Sequence, residues 1–269
     1  MLGSGSFQVA GVDGCKGGWV VANVVVTPDC TGQHHDYIYV LNNFWVISDF
    51  AEVLHRMEHC RMVCVDIPIG LTDGPARDCD LRARKLLGQP RGTSVFPAPV
   101  RPCLRARTYE EAKEISRKYS GKGLSKQSFE LIDKIRQVDD VMTPELQQRV
   151  RELHPEISFW ALNGQEAVVD SKAGPAGQMR RIELLLTVFS EIADVLAKSD
   201  LSGAKLDDLL DALVAAWTAG QAIATKIETL PEGPELDSKG LKMEILQSLP
   251  GVALILSSVI ALEVGDINR

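Results

Sequence analysis

Two aspartates follow apolar segments in which an unpaired charge would be costly. Asp13 comes after the apolar run of FQVAGVDG, residues 7–14, and Asp66 comes near the end of MVCVDI, residues 62–67. Because both segments have the composition of buried strands, each carboxylate would destabilise the fold unless a partner or a cation stabilised it. A turn or a helix N-cap is the alternative for either residue alone. Their recurrence at two strand ends favours a shared site.

Two further aspartates lie in LDDLLDALVAAWTAGQAIA, residues 206–224. Asp208 and Asp211 are three positions apart, so a helix places them side by side, opposite its broad leucine-rich face. Their own face continues with small residues that favour close packing, namely Ala212, Ala215 and Ala219. We therefore expect both aspartates to point into the protein. The alternative is that acids in the first turn complement the helix dipole, which accounts for Asp208 better than for Asp211.

Glu156 is the remaining acidic candidate and lies in RELHPEISFW, residues 151–160. We predict a short strand there, with Pro155 at or near a sheet edge and with His154 and Glu156 on the same side. A glutamate in an apolar strand needs a cation or another partner. An edge-strand residue that faces water is the alternative interpretation.

Carboxylates from two strand ends and a helix are hard oxygen ligands. Without a cysteine or histidine cluster beside them, they suit Mg²⁺ or Mn²⁺ rather than zinc. Two such ions a few ångströms apart activate water and stabilise the leaving oxygen in phosphodiester cleavage. This hypothesis predicts that Asp13→Asn abolishes any metal-dependent activity and leaves the fold intact.

The order of the predicted elements is that of a mixed α/β protein. A glycine-rich turn joins the first two strands into an antiparallel hairpin. Strands are predicted at residues 7–12, 19–26, 37–41, 62–67 and 151–160. Helices are predicted at residues 48–57, with Ser48 as the cap, and at 179–197 and 206–227, with a weaker pattern at 241–264. Residues 73–148 are charged and rich in helix-favouring segments, which predicts a mostly helical insertion between strands four and five.

The composition limits the partners and the compartment. A net charge of -7 and a pI near 5.3 argue against a protein that coats nucleic acid by charge alone, although they are compatible with a local basic groove. Six cysteines without a CxxC pair or a secretory leader favour free thiols in the cytoplasm over disulfides or a zinc site. Pro250 and Glu263 interrupt the apolar stretch 246–264, which makes it a poor membrane span and a candidate homodimer interface.

Seven motifs follow one another along most of the chain. They are GVDGCKGGWVVA, VDIPIGL, PRGTSVFPAPVR, GKGLSKQSFELIDKIRQVDD, ELHPEISFWALNG, DDLLDALVAAWTA and DSKGLKMEI. In sequence and in order they resemble the domain of unknown function 429 family, a group of predicted ribonuclease H-like nucleases. The resemblance runs from about residue 9 to residue 245.

The resemblance implies a single ribonuclease H-like domain over residues 7–264, with the helical insertion inside it. Its five-stranded mixed sheet would have the order 3-2-1-4-5, with helices on both sides. In that superfamily an aspartate on the first strand, an acid on the fourth and acids on the last core helix bind divalent metal. The matching positions here are Asp13, Asp66, Asp208 and Asp211. Glu156 lies in a motif particular to the family and is a further candidate metal ligand.

Basic residues offer contacts for a phosphate-bearing substrate. Lys16 lies in the turn after the first strand, where backbone N–H groups can also hold phosphate. In the insertion and after it, the candidates are Arg101, Lys126 and Lys172. Solvated helix faces are the alternative interpretation for these residues.

Three functions agree with these patterns. The first is a metal-dependent phosphodiester hydrolase, most simply a nuclease that acts on nucleic acid. The second is a phosphohydrolase or phosphotransferase that acts on a nucleotide, which the acidic pI favours. The third is a non-catalytic binding module in which the acids hold a structural ion.

Overall fold

A five-stranded sheet forms the centre of the protein. The computed structural model describes residues 5–29, 37–192, 203–224 and 227–248. In chain order the strands are β1 (Phe7–Cys15), β2 (Gly18–Pro28), β3 (Tyr37–Ile47), β4 (Met62–Val65) and β5 (Val150–Glu152). Across the sheet they follow the order β3-β2-β1-β4-β5. The β1–β2 and β2–β3 pairs are antiparallel, and the β1–β4 and β4–β5 pairs are parallel.

Helices cover both faces of this sheet. They are α1 (Phe50–Arg56), α2 (Asp78–Leu87), α3 (Tyr109–Ser120), α4 (Lys126–Glu130), α5 (Ile132–Val141), α6 (Pro155–Leu162), α7 (Pro175–Leu186) and α8 (Leu206–Ala224). One apolar core joins the sheet to α6, α7 and α8, and a second joins its other face to α1, α3 and α5. The strand order and the two helical layers confirm the predicted ribonuclease H-like fold.

The segment between β4 and β5 is helical, as the composition predicts. It contains α2 to α5 and three short 3₁₀ helices, Arg91–Ser94, Arg101–Arg105 and Leu146–Gln148. Gln137 of α5 connects this segment to β2 and to α1. Its Oε1 accepts hydrogen bonds from Trp19 Nε1 at 2.9 Å and from Phe50 N at 3.3 Å. The division into one domain with an insertion at residues 73–148 stays a prediction.

The strand predicted at residues 151–160 is wrong for most of its length. β5 ends at Glu152, and α6 begins at Pro155 with His154 as its N-cap. The Nδ1 atom of His154 accepts a hydrogen bond from the backbone N–H of Glu156 at 3.2 Å, so the two residues form a helix start and do not project from the same side of a strand. Proline at the first helical position already has the required φ and no N–H to satisfy, which favours a helix start here.

Smaller corrections concern helix ends and the C-terminal part. Asp49 rather than Ser48 caps α1, since its side chain accepts from the N–H groups of Ala51 and Glu52. The helix predicted at residues 179–197 starts earlier and ends at Leu186, although residues 193–197 lie outside the described residues.

The weak helical prediction at residues 241–264 is wrong where the structure describes it. β6 (Glu228–Leu230) and β7 (Ile245–Gln247) form a two-stranded antiparallel sheet there. Residues 249–264, and with them most of the candidate dimer interface, lie outside the described residues. Among the described helices, none combines the length and apolarity that a membrane crossing needs.

Candidate metal centre

The two strand aspartates are brought together by parallel pairing. β1 and β4 run side by side with Val12 opposite Val65, and the backbone N–H of Asp66 donates to the Val12 carbonyl oxygen at 2.9 Å. Because side chains alternate along a strand, Asp13 lies on the same face of β1 as Gly11, which packs against α8. Asp13 and Asp66 therefore reach the same edge of the sheet.

The close approach of α8 to β1 places Asp211 beside them. A Cβ atom on Gly11 would fall onto the carbonyl oxygen of Ala212 and the amide nitrogen of Ala216. Glycine on the strand and alanines on the helix thus allow the two backbones to pack together. This is the close packing that the alanine pattern predicts, and the adjacent Asp211 is buried at 1% exposure.

The carboxylates of Asp13, Asp66 and Asp211 form one cluster. One oxygen from each lies within 4.8 Å of the other two. Asp13 is only 7% exposed, and its Oδ1 accepts a hydrogen bond from the Gly14 N–H at 2.7 Å. Three acids held so closely with so little water repel one another, and a cation would relieve that repulsion.

The pKa values of the three acids reflect this arrangement. Burial, followed by the charges of Asp66 and Asp211, raises the pKa of Asp13 well above its ordinary value. Burial raises the pKa of Asp66 to about 6 and that of Asp211 to about 6, although Lys172 opposes both shifts. The cluster therefore resists full ionisation unless positive charge is supplied.

Lys172 supplies one such charge. Its Nζ donates to Asp211 Oδ2 at 2.6 Å. Burial lowers the pKa of Lys172, but Asp211, Asp66 and Asp13 raise it by more, so the side chain stays a cation. One ammonium group against three clustered carboxylates leaves negative charge uncompensated.

Asp208 lies beside this cluster and has a capping contact of its own. Its Oδ2 accepts from the backbone N–H of Lys205, the residue before α8, at 2.8 Å, as expected for an acid in the first turn of a helix. Its charge contributes to the raised pKa of Asp13, so the two carboxylates are near each other. Asp208 also lines a cavity of about 470 Å³ together with Gly14, Cys15, Lys16, Gly203, Ala204 and Lys205.

Glu156 binds two arginines rather than facing water. Both of its carboxylate oxygens accept from Arg181 Nη2, at 2.8 and 2.9 Å, and Oε1 also accepts from Arg91. It is buried in the first turn of α6. Its charge raises the pKa of Asp66 and of Asp211, which places it near the cluster. These arginines supply the positive charge that we expect a glutamate in an apolar segment to need. The role of Glu156 as a metal ligand stays a prediction.

The predicted substrate contacts have different surroundings. Lys16 is exposed on the wall of the cavity beside Asp208. Lys126 is exposed at the start of α4. The guanidinium of Arg101 is held by the carboxylates of Asp139 and Asp237, so its charge is already compensated. The substrate roles of all these residues, and of Lys172, stay predictions.

Two features of the site have only a weak signal in the sequence. The contact with α8 requires Gly11. In the sequence, only the position of Gly11 two residues before Asp13 and the alanines of α8 indicate this role. Arg181 lies on α7 in the exposed-looking sequence QMRRIE, yet its side chain is 1% exposed and contacts Glu156 and the ring of Phe159. Nothing in the local pattern separates it from its exposed neighbour Arg180.

The donor set fits a magnesium or manganese ion. All three ligand groups are carboxylates, two of them are buried, and the described residues place no cysteine or histidine in the cluster. Hard divalent cations prefer such oxygen ligands. Asp211 already binds a cationic group, the ammonium of Lys172, which shows that the site attracts positive charge.

Comparisons with known proteins give a family match and a similar solved structure. A solved structure of RuvC from Thermus thermophilus is similar at 13% identity and a TM-score of 0.31, with 78% of this chain and 91% of that chain covered. No curated protein sequence matches the chain. A family model described as a protein of unknown function, DUF429, matches residues 11–236. The chain therefore belongs to the DUF429 family.

Proposed function

We propose that this protein is a divalent-metal-dependent phosphodiester hydrolase, and specifically a nuclease. The observation that carries the proposal is the convergence of Asp13, Asp66 and Asp211, whose oxygens lie within 4.8 Å of one another. These residues come from three elements far apart in the chain, and packing them together costs free energy that a structural role does not require. Buried acids with strongly raised pKa values in one cluster are typical of functional sites.

Each acid is held by a rigid element. Asp13 lies near the end of β1, Asp66 directly follows β4, and Asp211 lies on the second turn of α8. Their carboxylates would hold Mg²⁺ or Mn²⁺, with Asp208 and Glu156 as further proposed ligands at its border. When bound, such ions lower the pKa of water and stabilise negative charge on phosphate oxygens.

The cations around the cluster have a separate role in the proposal. Lys16 on the cavity wall and Lys172 at Asp211 provide positive charge for a phosphate group of the substrate. Such local charge allows an acidic protein to bind a polyanion. Lys126 and Arg101 are proposed more distant contacts, and for Arg101 this requires release from Asp139 or Asp237.

A nucleotide phosphohydrolase is the second candidate. The cavity of about 470 Å³ lined by Gly14 and Asp208 favours it, since pockets for small ligands have volumes of this order. Two lysines, Lys16 and Lys205, line this cavity and would suit a nucleotide phosphate.

A substrate panel tests the proposal. Purified protein is incubated with Mg²⁺ or Mn²⁺ and labelled single-stranded DNA, duplex DNA, branched DNA, RNA or nucleoside triphosphates. We expect cleavage of a nucleic acid that EDTA and Asp13→Asn abolish. Asp207→Asn is the matched control, because it removes the carboxylate of a residue in the first turn of α8 that lies outside the carboxylate cluster.

The outcomes separate the candidates. Turnover of nucleotides alone identifies the phosphohydrolase. Metal binding that depends on Asp13, without turnover of any substrate, identifies a binding module with a structural ion and contradicts the hydrolase.

A further inference from the structure

Lys172 contacts one of the three carboxylates where a metal ion is expected. Its ammonium nitrogen lies 2.6 Å from Asp211 Oδ2, and the charges of Asp66 and Asp13 also act on it. The ammonium thus pairs directly with one proposed ligand and is attracted by the charges of the other two. The metal and the ammonium therefore need the same negative charge.

We propose that Lys172 is an internal cation that occupies the acidic cluster when no metal is bound and that a divalent ion displaces it. This inference rests on the metal centre of the proposed function. Displacement frees the ammonium for a phosphate oxygen of the substrate, so that metal binding and substrate binding are coupled.

The surroundings of Lys172 allow such a movement. Its side chain is 42% exposed, whereas Asp211 is almost wholly buried, so the lysine reaches the cluster from the solvent side. The backbone is fixed, since Gly174 N donates to Ser171 O at 3.0 Å and Gly177 packs onto that same carbonyl. The flexible four-carbon stem can therefore move the ammonium by changes of rotamer alone.

Three variants measure the competition by calorimetric titration with Mn²⁺. Lys172→Met removes the ammonium and keeps much of the side-chain volume, and we expect it to bind Mn²⁺ more tightly by about 5–150-fold, the usual range of coupling between two sites. Lys205→Met is the matched control, because it removes an exposed charge next to Asp208 without a contact to the three acids. Asp13→Asn should bind Mn²⁺ weakly.

A second measurement follows the ammonium directly. In ¹⁵N NMR spectra of lysine side chains at low temperature, wild-type protein should show a slowly exchanging ammonium signal that Lys172→Met lacks. Addition of Mg²⁺ should remove or shift this signal.

The outcomes are distinct for the two proposals. Equal or weaker Mn²⁺ binding by Lys172→Met, an equal gain with Lys205→Met, or an ammonium signal unaffected by Mg²⁺ overturns the displacement. Displacement without cleavage of any substrate contradicts the hydrolase and leaves the inference standing. Failure of both wild type and Lys172→Met to bind Mn²⁺ overturns the metal centre and the inference together.

Discussion

Among the described residues, two clusters that contain buried acids differ in how many carboxylates each cation has to compensate. In the candidate metal centre, Asp13, Asp66 and Asp211 share one ammonium group. In the second cluster, which we call the Arg77 network, Arg77 binds Asp80 and Glu152, and all three residues are at most 5% exposed.

Hydrogen bonds saturate the Arg77 network. Arg77 donates to both carboxylates and to the carbonyls of Ile69 and Gly70. Two backbone N–H groups also donate to these carboxylates: that of Ala98 to Asp80 at 2.9 Å and that of Ile69 to Glu152 at 2.6 Å. A bidentate guanidinium between two acids, with the remaining lone pairs satisfied, is a stable structural unit.

The comparison of the two clusters shows which property distinguishes a structural cluster of acids from a functional one. Burial of acids occurs in both. In the metal centre three carboxylates share one ammonium, and the pKa values of Asp13, Asp66 and Asp211 are raised. In the Arg77 network two carboxylates share one guanidinium that binds both of them, although burial raises the pKa of Glu152 to about 7 there as well. The fully hydrogen-bonded Arg77 network stabilises the connection of β5 to the insertion, whereas the metal centre is available for an added ion.

The largest expected effect is the loss of activity from the metal centre. Asp13→Asn should lower metal-dependent turnover by more than about 100-fold, since even residues that only support metal ligands contribute 10–100-fold. Steady-state cleavage rates measure this effect. The melting temperature without metal should stay the same or rise, because one repelling charge is removed.

Asp80→Asn is the contrasting variant in the other cluster. It should lower stability and leave Mn²⁺ affinity unchanged. A large fall in Mn²⁺ affinity with Asp80→Asn would remove the distinction between the two clusters.

The next effect is on stability. Arg77→Met should lower the free energy of unfolding by about 3–5 kcal/mol, because Asp80 and Glu152 are left buried without their cation. Urea denaturation followed by tryptophan fluorescence measures it. Arg82→Met is the control on α2, the helix that Arg77 directly precedes, where an exposed pair with Asp78 contributes less than about 1 kcal/mol. Similar losses for both variants would contradict a special role for the Arg77 network.

A smaller change in stability should follow from separating β1 and α8. Gly11→Ala forces the strand away from the backbone of Ala212 and Ala216, at a cost of about 1–3 kcal/mol for overpacking. It should also weaken Mn²⁺ binding, because Asp13 and Asp211 move apart. Gly233→Ala is the control, since no atom lies near a Cβ added there. Unchanged Mn²⁺ affinity in a destabilised Gly11→Ala protein would show that this contact does not position the ligands.

The smallest effect is a pH dependence. The pKa values of Asp66 and Asp211 are about 6, above the ordinary 3.8, so the folded protein binds protons more tightly than the unfolded chain. Without metal, the stability from these groups is fully present below pH 3.8 and is lost as the pH rises through about 6. Mn²⁺ affinity should change oppositely and fall below pH 6, by about tenfold per pH unit for each carboxylate that must ionise.

Calorimetry and thermal unfolding between pH 4.5 and 8 measure both trends. Asp66→Asn should flatten the trend in stability. The Arg77 network offers the comparison, since Asp80→Asn should leave the pH dependence of Mn²⁺ binding unaltered.

The alternation of residues along the strands predicted much of the site. Val-rich segments ending in Asp13 and Asp66 indicated buried strands with acids at their ends, and the alanine face of α8 indicated a close packing that Gly11 completes. These features are local, because hydrophobic period and residue size decide them. The strand order added by the resemblance then placed both acids at one edge of the sheet.

The sequence by itself determined the first four strands of the sheet, α8 and the acids that are candidates for a metal site. Only the tertiary structure decided their partners: Asp211 joins the cluster, Asp208 caps α8 beside it, and Glu156 binds arginines from α7 and the insertion. The same holds for Lys172, which reaches Asp211 across 39 positions of sequence. The physical reason is that local periodicity fixes the face on which a side chain lies, whereas compensation of its charge depends on segments far along the chain.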